Sequence, residues 1–310
     1  MRGVKQLIDR QAIKVAAESL PQGVPRPALV SRARELLGRA DFLAPGGSTG
    51  QLKLHEKDAF TFASAVETPQ QKNNTVHGKL FRTRKSWATR PLVILVHGWN
   101  AELHFLYGLP WVARALNRRG LNAALIELPY HLHRRPLERN GMRDFISDDL
   151  VGMLEATRQA LADFDALGRW AKAQGCPSVG IWGFSLGAWL AGLYVCQTDF
   201  AKAAVLTTPV IDLERAVKEL AFCHPIRSSM AAERLDLSAL NLTRQRLRIA
   251  PEGVQLVESG YDLFVPEETY AELARDWKLP RWEKQPQGHI SILTSRRAMR
   301  QSMDFFARNL

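Results

Sequence analysis

The apolar positions of this chain fall into two alternating kinds of run. Residues 92–96, Leu-Val-Ile-Leu-Val, are apolar at every step. Both pleat faces are therefore apolar, as in a central strand covered by helices on both sides. Two extended stretches precede it, DAFTFASAV and GKLFRTR, and in the second Leu80 and Arg82 alternate as in a half-buried strand. After it WVARALNRRG reads as a helix ending at Gly120, and LNAALIELPY as a strand ending at Pro129. Residues 146–175 carry Leu150, Leu154, Leu161 and Phe164 on one face, the pattern of a long amphipathic helix. PSVGIWGFS, SLGAWLAGLYVCQ and AKAAVLTTPV then read as strand, helix and strand. Strands alternating with helices predict an α/β fold with a doubly wound, mostly parallel sheet.

Two regions break the rhythm. Residues 1–50 read as a helical N-terminal extension of one or two amphipathic helices, interrupted where Pro21, Pro25 and Pro27 forbid continuation and closed by the loop LAPGGSTG. Residues 51–310 form the main domain. Within it, residues 212 to about 250 are helix-like, and GVQLVESGYD then resumes the strand pattern. Such an insertion sits over the carboxyl ends of the strands, where open α/β sheets bind ligands, and reads as a helical cap. The last segment, from residue 290, is an amphipathic helix with Ile292, Met299, Met303 and Phe306 on one side.

Composition narrows the classes. A chain of 310 residues with 46% apolar content, 21 glycines and 16 prolines is neither disordered nor fibrous. Cys176, Cys196 and Cys223 are odd in number and widely spaced, which suits neither a disulfide framework nor a CxxC metal site. The first residues hold no continuous apolar stretch of a secretory signal, and no 18-residue apolar window predicts a membrane span. The expectation is a cytoplasmic protein. The net charge of +11 is spread over Arg26, Arg32, Arg34 and Arg39, over Arg134, Arg135, Arg139 and Arg143, and over Arg244, Arg246 and Arg248. No nucleic-acid motif accompanies it, so the first reading is a solvated basic surface and the second a peripheral contact with an anionic surface.

The sharpest chemical signal is GFSLG. Gly183, Ser185 and Gly187 match G-x-S-x-G with a strand before and a helix after, which holds the serine at a helix N-terminus. There the amide of Leu186 can donate to a developing oxyanion. A serine hydroxyl is a poor nucleophile without a base, and the base needs an orienting acid. His289 in QPQGHISIL and Asp262 in ESGYDLFVP supply both, in the order serine, acid, histidine. Asp212, Glu258 and Glu267 are alternative acids, and the D-x-x-V-P context favours Asp262.

With HGW at 97–99, GFSLG at 183–187, YDLFVP and GHIS, the chain from about residue 75 onward resembles the α/β-hydrolase superfamily in its serine esterase and lipase-like branch. The resemblance implies that fold and a serine hydrolase cleaving a small-molecule or lipid-like carboxylic ester through an acyl-enzyme, without a cofactor. It implies a second oxyanion donor in the amide of Trp99, with Asn100 the neighbouring alternative, and a structural role for His97. Asn100, Arg134 and Arg135 are candidates for substrate binding, the arginines through a carboxylate or phosphate. His131 and His133 form an H-x-H pair without companion ligands at metal spacing, so no metal is expected and both read as loop residues near the site mouth. Thioesterase, peptidase and a non-catalytic hydrolase-like binding protein remain open.

Overall fold

The computed structural model describes residues 2–47, 51–84, 86–136, 145–280 and 282–310. Two helices open the chain, α1 (Arg2–Ser19) and α2 (Pro27–Leu37), parted by the proline segment. Pro27 sits in the first turn of α2, where its missing N–H breaks no helical bond. Then come β1 (Lys53–Leu54), β2 (Ala59–Ala63), β3 (Thr75–Phe81), β4 (Leu92–Val96), α3 (Leu109–Asn117), β5 (Asn122–Ile126) and α4 (Leu150–Ala173). The remainder runs β6 (Val179–Phe184), α5 (Leu186–Gln197), β7 (Ala203–Thr207), α6 (Leu213–Glu219), α7 (His224–Ser229), β8 (Val254–Ser259), α8 (Glu267–Asp276), β9 (Glu283–Gln285) and α9 (Arg296–Asn309).

Among the described residues nine strands form one sheet in the order β1-β2-β3-β5-β4-β6-β7-β8-β9. β1, β2 and β3 join antiparallel, and from β5 to β9 every neighbour is parallel. Alternation along the central strands splits their side chains between two cores. Leu92, Ile94 and Val96 of β4, Ile181 of β6 and Leu206 of β7 join the cluster that holds α2, α4 and α5. Val93 and Leu95, Trp182 and Val205 join the opposite cluster, with Leu116 of α3 and Phe306 of α9. Burying each such side chain contributes about 1.5–3 kcal/mol, so the sheet is held from both faces.

The segment between β7 and β8 holds α6, α7 and short 3₁₀ turns, and the indole N–H of Trp189 on α5 ties it down by donating to the Leu240 carbonyl at 2.8 Å. Ala16 of α1 and Leu20 just after it pack on Leu220, Phe222 and Cys223, while α2 places Val30, Ala33 and Leu36 in the larger core. Arg26, Arg32, Arg34 and Arg39 each pair with a nearby acid at the surface, through Asp148, Glu35, Glu233 and Asp41. Such exposed pairs contribute little stability. Arg139 and Arg143 lie outside the described residues. Among the described residues no helix is long and apolar enough to cross a membrane.

The sequence pattern and the structure differ in places. The last helix begins at Arg296 behind a Ser295 cap, and Ile292 belongs to a separate 3₁₀ turn. Strands β1 and β9 and helix α8 have no counterpart in the sequence reading. β9 reads Glu-Lys-Gln, an edge strand without apolar alternation.

Candidate active site

β6 delivers the chain to Ser185, and α5 starts at the next residue. Ser185 has φ 53° and ψ −118°, a conformation that costs an L-residue about 1–3 kcal/mol. Two glycines make the turn possible by close approach. A Cβ at Gly183 would collide with the Gly187 carbonyl, and one at Gly187 with the His97 carbonyl. The hydroxyl is therefore held clear of the sheet, beside the first amides of a helix, which lack intrahelical acceptors.

The other two groups come from neighbouring loops. Asp262 follows β8 and His289 follows β9. Parallel pairing of these strands continues beyond them, with Gly260 N–H donating to Gln285 O at 2.8 Å and Tyr261 N–H to Gln287 O at 2.9 Å. The edge strand that lacks a sequence signature thus brings the histidine loop beside the aspartate loop. His289 Nδ1 lies 2.8 Å from Asp262 Oδ2, and Nε2 lies 2.8 Å from Ser185 Oγ. With Nδ1 protonated, the ring donates to the carboxylate and Nε2 accepts from the serine hydroxyl. Asp262 Oδ1 accepts the amides of Phe264 and Val265 at 2.7 and 3.0 Å, which fixes the carboxylate. The Phe264 ring stacks on the imidazole at 4.2 Å. Burial disfavours the imidazolium, but the Asp262 charge, its hydrogen bond and the charge of Asp9 outweigh burial and raise the pKa of His289 above 6.5.

Ser185 and His289 open on a cavity of about 450 Å³. Leu186, Trp189, Met153, Leu213, Phe222 and Ile226 are among its walls, and Ala12 and Ala16 of α1 close one side. Cys223 also faces it, its thiol pushed up to about 12 by burial, so it stays neutral and acts as apolar lining. Trp99 and Asn100 line the same cavity, Asn100 with φ 52°, and the Trp99 ring stacks on Phe222 at 5.3 Å. The structure thus brings together Ser185, Asp262, His289, Leu186, Trp99 and Asn100.

It does not bring the two arginines in. Arg134 is fully buried and committed elsewhere, pairing with Asp163 at 2.8 Å and donating to the carbonyls of Asn73 and Glu127. Its guanidinium joins the loop after β5 to α4 and is not available to a substrate. Arg135 pairs with Glu102 at 2.7 Å, and neither arginine is among the described residues lining the cavity. His131 is likewise buried, against His97 and Phe145, and His133 pairs with Glu127; neither is among the described residues lining the cavity. His97 donates from Nδ1 to Gly98 O and accepts the Leu128 amide at Nε2. Burial holds its pKa down at about 4, so it is a neutral brace between the HGWN loop and the end of β5. Of the alternative acids, Asp212 caps α6, while Glu258 and Glu267 meet Lys284. Among the described residues no group of three or more His, Cys, Asp or Glu could hold a metal ion.

The sequence reading missed Phe264 and the α1 residues. The carboxylate of Asp9 reaches the backbone of the loops that carry Asp262 and His289, and nothing in its local sequence signals this.

No protein-family model matches the chain. The uncharacterized proteins Rv2627c and MT2702 of Mycobacterium tuberculosis are each 28% identical to it over 223 residues, 67% of this chain and 51% of theirs. The chain thus spans about half the length of the curated relatives it matches. Among solved structures it is similar to Est1E of Butyrivibrio proteoclasticus with ferulic acid bound, at TM-score 0.54 and 16% identity over 76% of this chain and 95% of that one. It is similar to the acylaminoacyl peptidase of Pyrococcus horikoshii, at TM-score 0.57 and 14% identity over 85% and 42%. A third is the α/β hydrolase GrgF of Penicillium sp. sh18, at TM-score 0.56 and 13% identity over 81% and 98%. At these identities the likeness establishes the architecture: the chain has the α/β-hydrolase fold.

Proposed function

We propose that this protein is a serine hydrolase that cleaves esters of apolar carboxylic acids. The observation that carries the reading is the hydrogen-bonded chain Ser185–His289–Asp262 at the wall of an apolar cavity. Ser185 Oγ attacks the acyl carbon while its proton passes to His289 Nε2, and Asp262 holds the Nδ1–H and stabilises the imidazolium. The amides of Leu186 and Trp99 stabilise the oxyanion. Collapse of the tetrahedral intermediate breaks the bond to the alcohol, which takes the proton from Nε2 and leaves Ser185 acylated. A water then repeats the sequence, and the carboxylic acid and free Ser185 result.

The cavity argues for the acyl side. Its lining is dominated by hydrocarbon and aromatic side chains, and Leu103 and Ile290 carry that character to the exposed rim. An apolar chain gains about 0.8 kcal/mol per methylene buried there, whereas a charged acyl group would lose its hydration without a cationic partner. Est1E, which binds the carboxylic acid ferulic acid, and the α/β hydrolase GrgF share the fold and support the reaction class.

The test is covalent labelling with a fluorophosphonate, followed by turnover of p-nitrophenyl esters and matching thioesters of graded chain length. Labelling should map to Ser185, vanish in Ser185→Ala and fall strongly in His289→Ala. Ester turnover should rise with acyl length until the cavity is filled. A folded protein that takes no label excludes the reading, and faster turnover of thioesters or peptides reassigns the leaving group.

A further inference from the structure

One carboxylate of the N-terminal helix reaches both the loop of His289 and the loop of Asp262. Asp9 of α1 is buried, and its carboxylate faces backbone amides. Oδ2 accepts from His289 N–H at 2.8 Å and from Leu263 N–H at 3.3 Å, while Oδ1 accepts from Ile290 N–H at 3.1 Å. Two of these amides belong to the loop that carries the base, and the third belongs to the residue after the acid. A single carboxylate therefore fixes both loops to the same point.

Independent contacts show that the helix is seated for this. A Cβ at Gly288 would lie 2.9 and 3.0 Å from the two Asp9 oxygens and 3.0 Å from the Lys5 carbonyl, so the glycine before His289 leaves the space the carboxylate fills. One turn earlier the Lys5 ammonium donates to the Pro286 carbonyl, and the cations of Arg2 and Lys5 lie 5.5 and 5.9 Å from the Tyr261 ring centre, next to Asp262. One to two turns later Ala12 and Ala16 line the cavity. Lys5, Asp9, Ala12 and Ala16 recur at the spacing of one helical face. That face touches the histidine loop and the cavity in turn.

We infer that Asp9 is a positioning residue of the catalytic apparatus: it acts through His289, holding the imidazole in register between Ser185 and Asp262 by anchoring the backbone on both sides. The inference rests on the serine hydrolase reading. A buried carboxylate is costly to place, and a helix that served only to pack on the segment around Leu220–Cys223 would gain more from an apolar residue there. The titratable and charged groups facing His289 are Asp262 from the loop after β8 and Asp9 from α1, with Lys5 and Arg2 farther along α1. Removing the Asp9 charge therefore removes one of two anions that favour the imidazolium.

The experiment compares full-length wild type, Asp9→Asn, Asp9→Glu and Gly288→Ala in ester turnover, fluorophosphonate active-site titration, pH dependence and thermal unfolding. Asp9→Asn keeps the size but turns an N–H₂ toward the donors. Per titrated site its kcat should fall by about 10- to 100-fold, the scale of a misplaced catalytic group, with little change in KM. The acid limb of kcat/KM should move to lower pH. Gly288→Ala, which displaces the carboxylate from the other side, should lower kcat per site in the same way, and Asp9→Glu should recover part of the loss. A purely structural role would change the folded fraction and Tm but leave kcat per site and the pH limb in place, and that result overturns the inference. A wild-type protein that neither labels nor turns over ester overturns the hydrolase reading itself, and this inference with it.

Discussion

Replacing Arg134 with methionine tests whether that residue belongs to the substrate or to the scaffold. Its guanidinium makes four hydrogen bonds, two to Asn73 O, one to Glu127 O and one to Asp163 Oδ2, all within 2.6–3.1 Å. The Arg134 and Asp163 side chains are 0% and 1% exposed, so water cannot replace the lost partner. Breaking a buried pair on one side costs about 3–5 kcal/mol. The two orphaned carbonyls add about 1–3 kcal/mol each where they find no new donor. A loss of about 5 kcal/mol or more is a large part of an ordinary folding stability of about 5–15 kcal/mol. Urea unfolding followed by circular dichroism should show a markedly lower midpoint for Arg134→Met, and Arg134→Met/Asp163→Leu should recover part of it by removing the uncompensated carboxylate. An unchanged midpoint, together with a rise in KM confined to anionic substrates, would refute this reasoning and return Arg134 to the substrate.

On the serine hydrolase reading His289 is the base, and its raised pKa puts the midpoint for loss of the blocking proton above 6.5. A kcat/KM profile should therefore rise with pH through a midpoint above 6.5, and a midpoint below it would contradict the Asp262 contact. His97 and His131 are 1% exposed, and burial lowers their pKa values to about 4 and about 3. The unfolded chain binds their protons first, so stability present above pH 6.5 is lost as pH falls toward 4, by about 1.4 kcal/mol per pH unit for each histidine as an upper figure. Denaturant midpoints measured between pH 7 and 4.5 should show that slope, reduced in His131→Phe. Ala216 lines the cavity from α6 and is not fully buried, so Ala216→Phe can be accommodated while narrowing the acyl space. Each methylene it excludes should cost about 4-fold in kcat/KM, from about 0.8 kcal/mol per CH₂, with short esters unaffected in a chain-length series.

The central sheet was legible because its strands are buried on both faces, and a run such as residues 92–96 has few other ways to fold. The elbow was legible for a related reason. Gly183 and Gly187 are dictated by backbone contacts within a few residues of Ser185, so the constraint is written beside the residue it serves. β9 was not legible: it is three polar residues at the sheet edge, placed by its register with β8. α8 was legible but overlooked, since Tyr270, Leu273, Ala274 and Trp277 recur at helical spacing and are buried behind a proline cap. The Arg134 reading failed because a basic loop after a strand looks the same in sequence whether its partner is a ligand or Asp163 on a distant helix.

Asp9 was hidden for a stronger version of that reason. Its partners are backbone amides of Leu263, His289 and Ile290, at least 254 positions away, and backbone donors leave no trace in residue identity. The same contacts explain GH in GHIS locally. Gly288 is small because Asp9 stands where its side chain would be, so a glycine that reads as loop punctuation records a tertiary contact. The distance between Asp262 and His289 depends on two loops that emerge from adjacent strands and are otherwise joined by backbone pairing at Gly260 and Tyr261. A carboxylate spanning both loops constrains that distance at a second point, 2.8 Å from the amide nitrogen of His289. The helical extension, which reads in sequence as an accessory, therefore shares the cavity wall and holds the loop of His289.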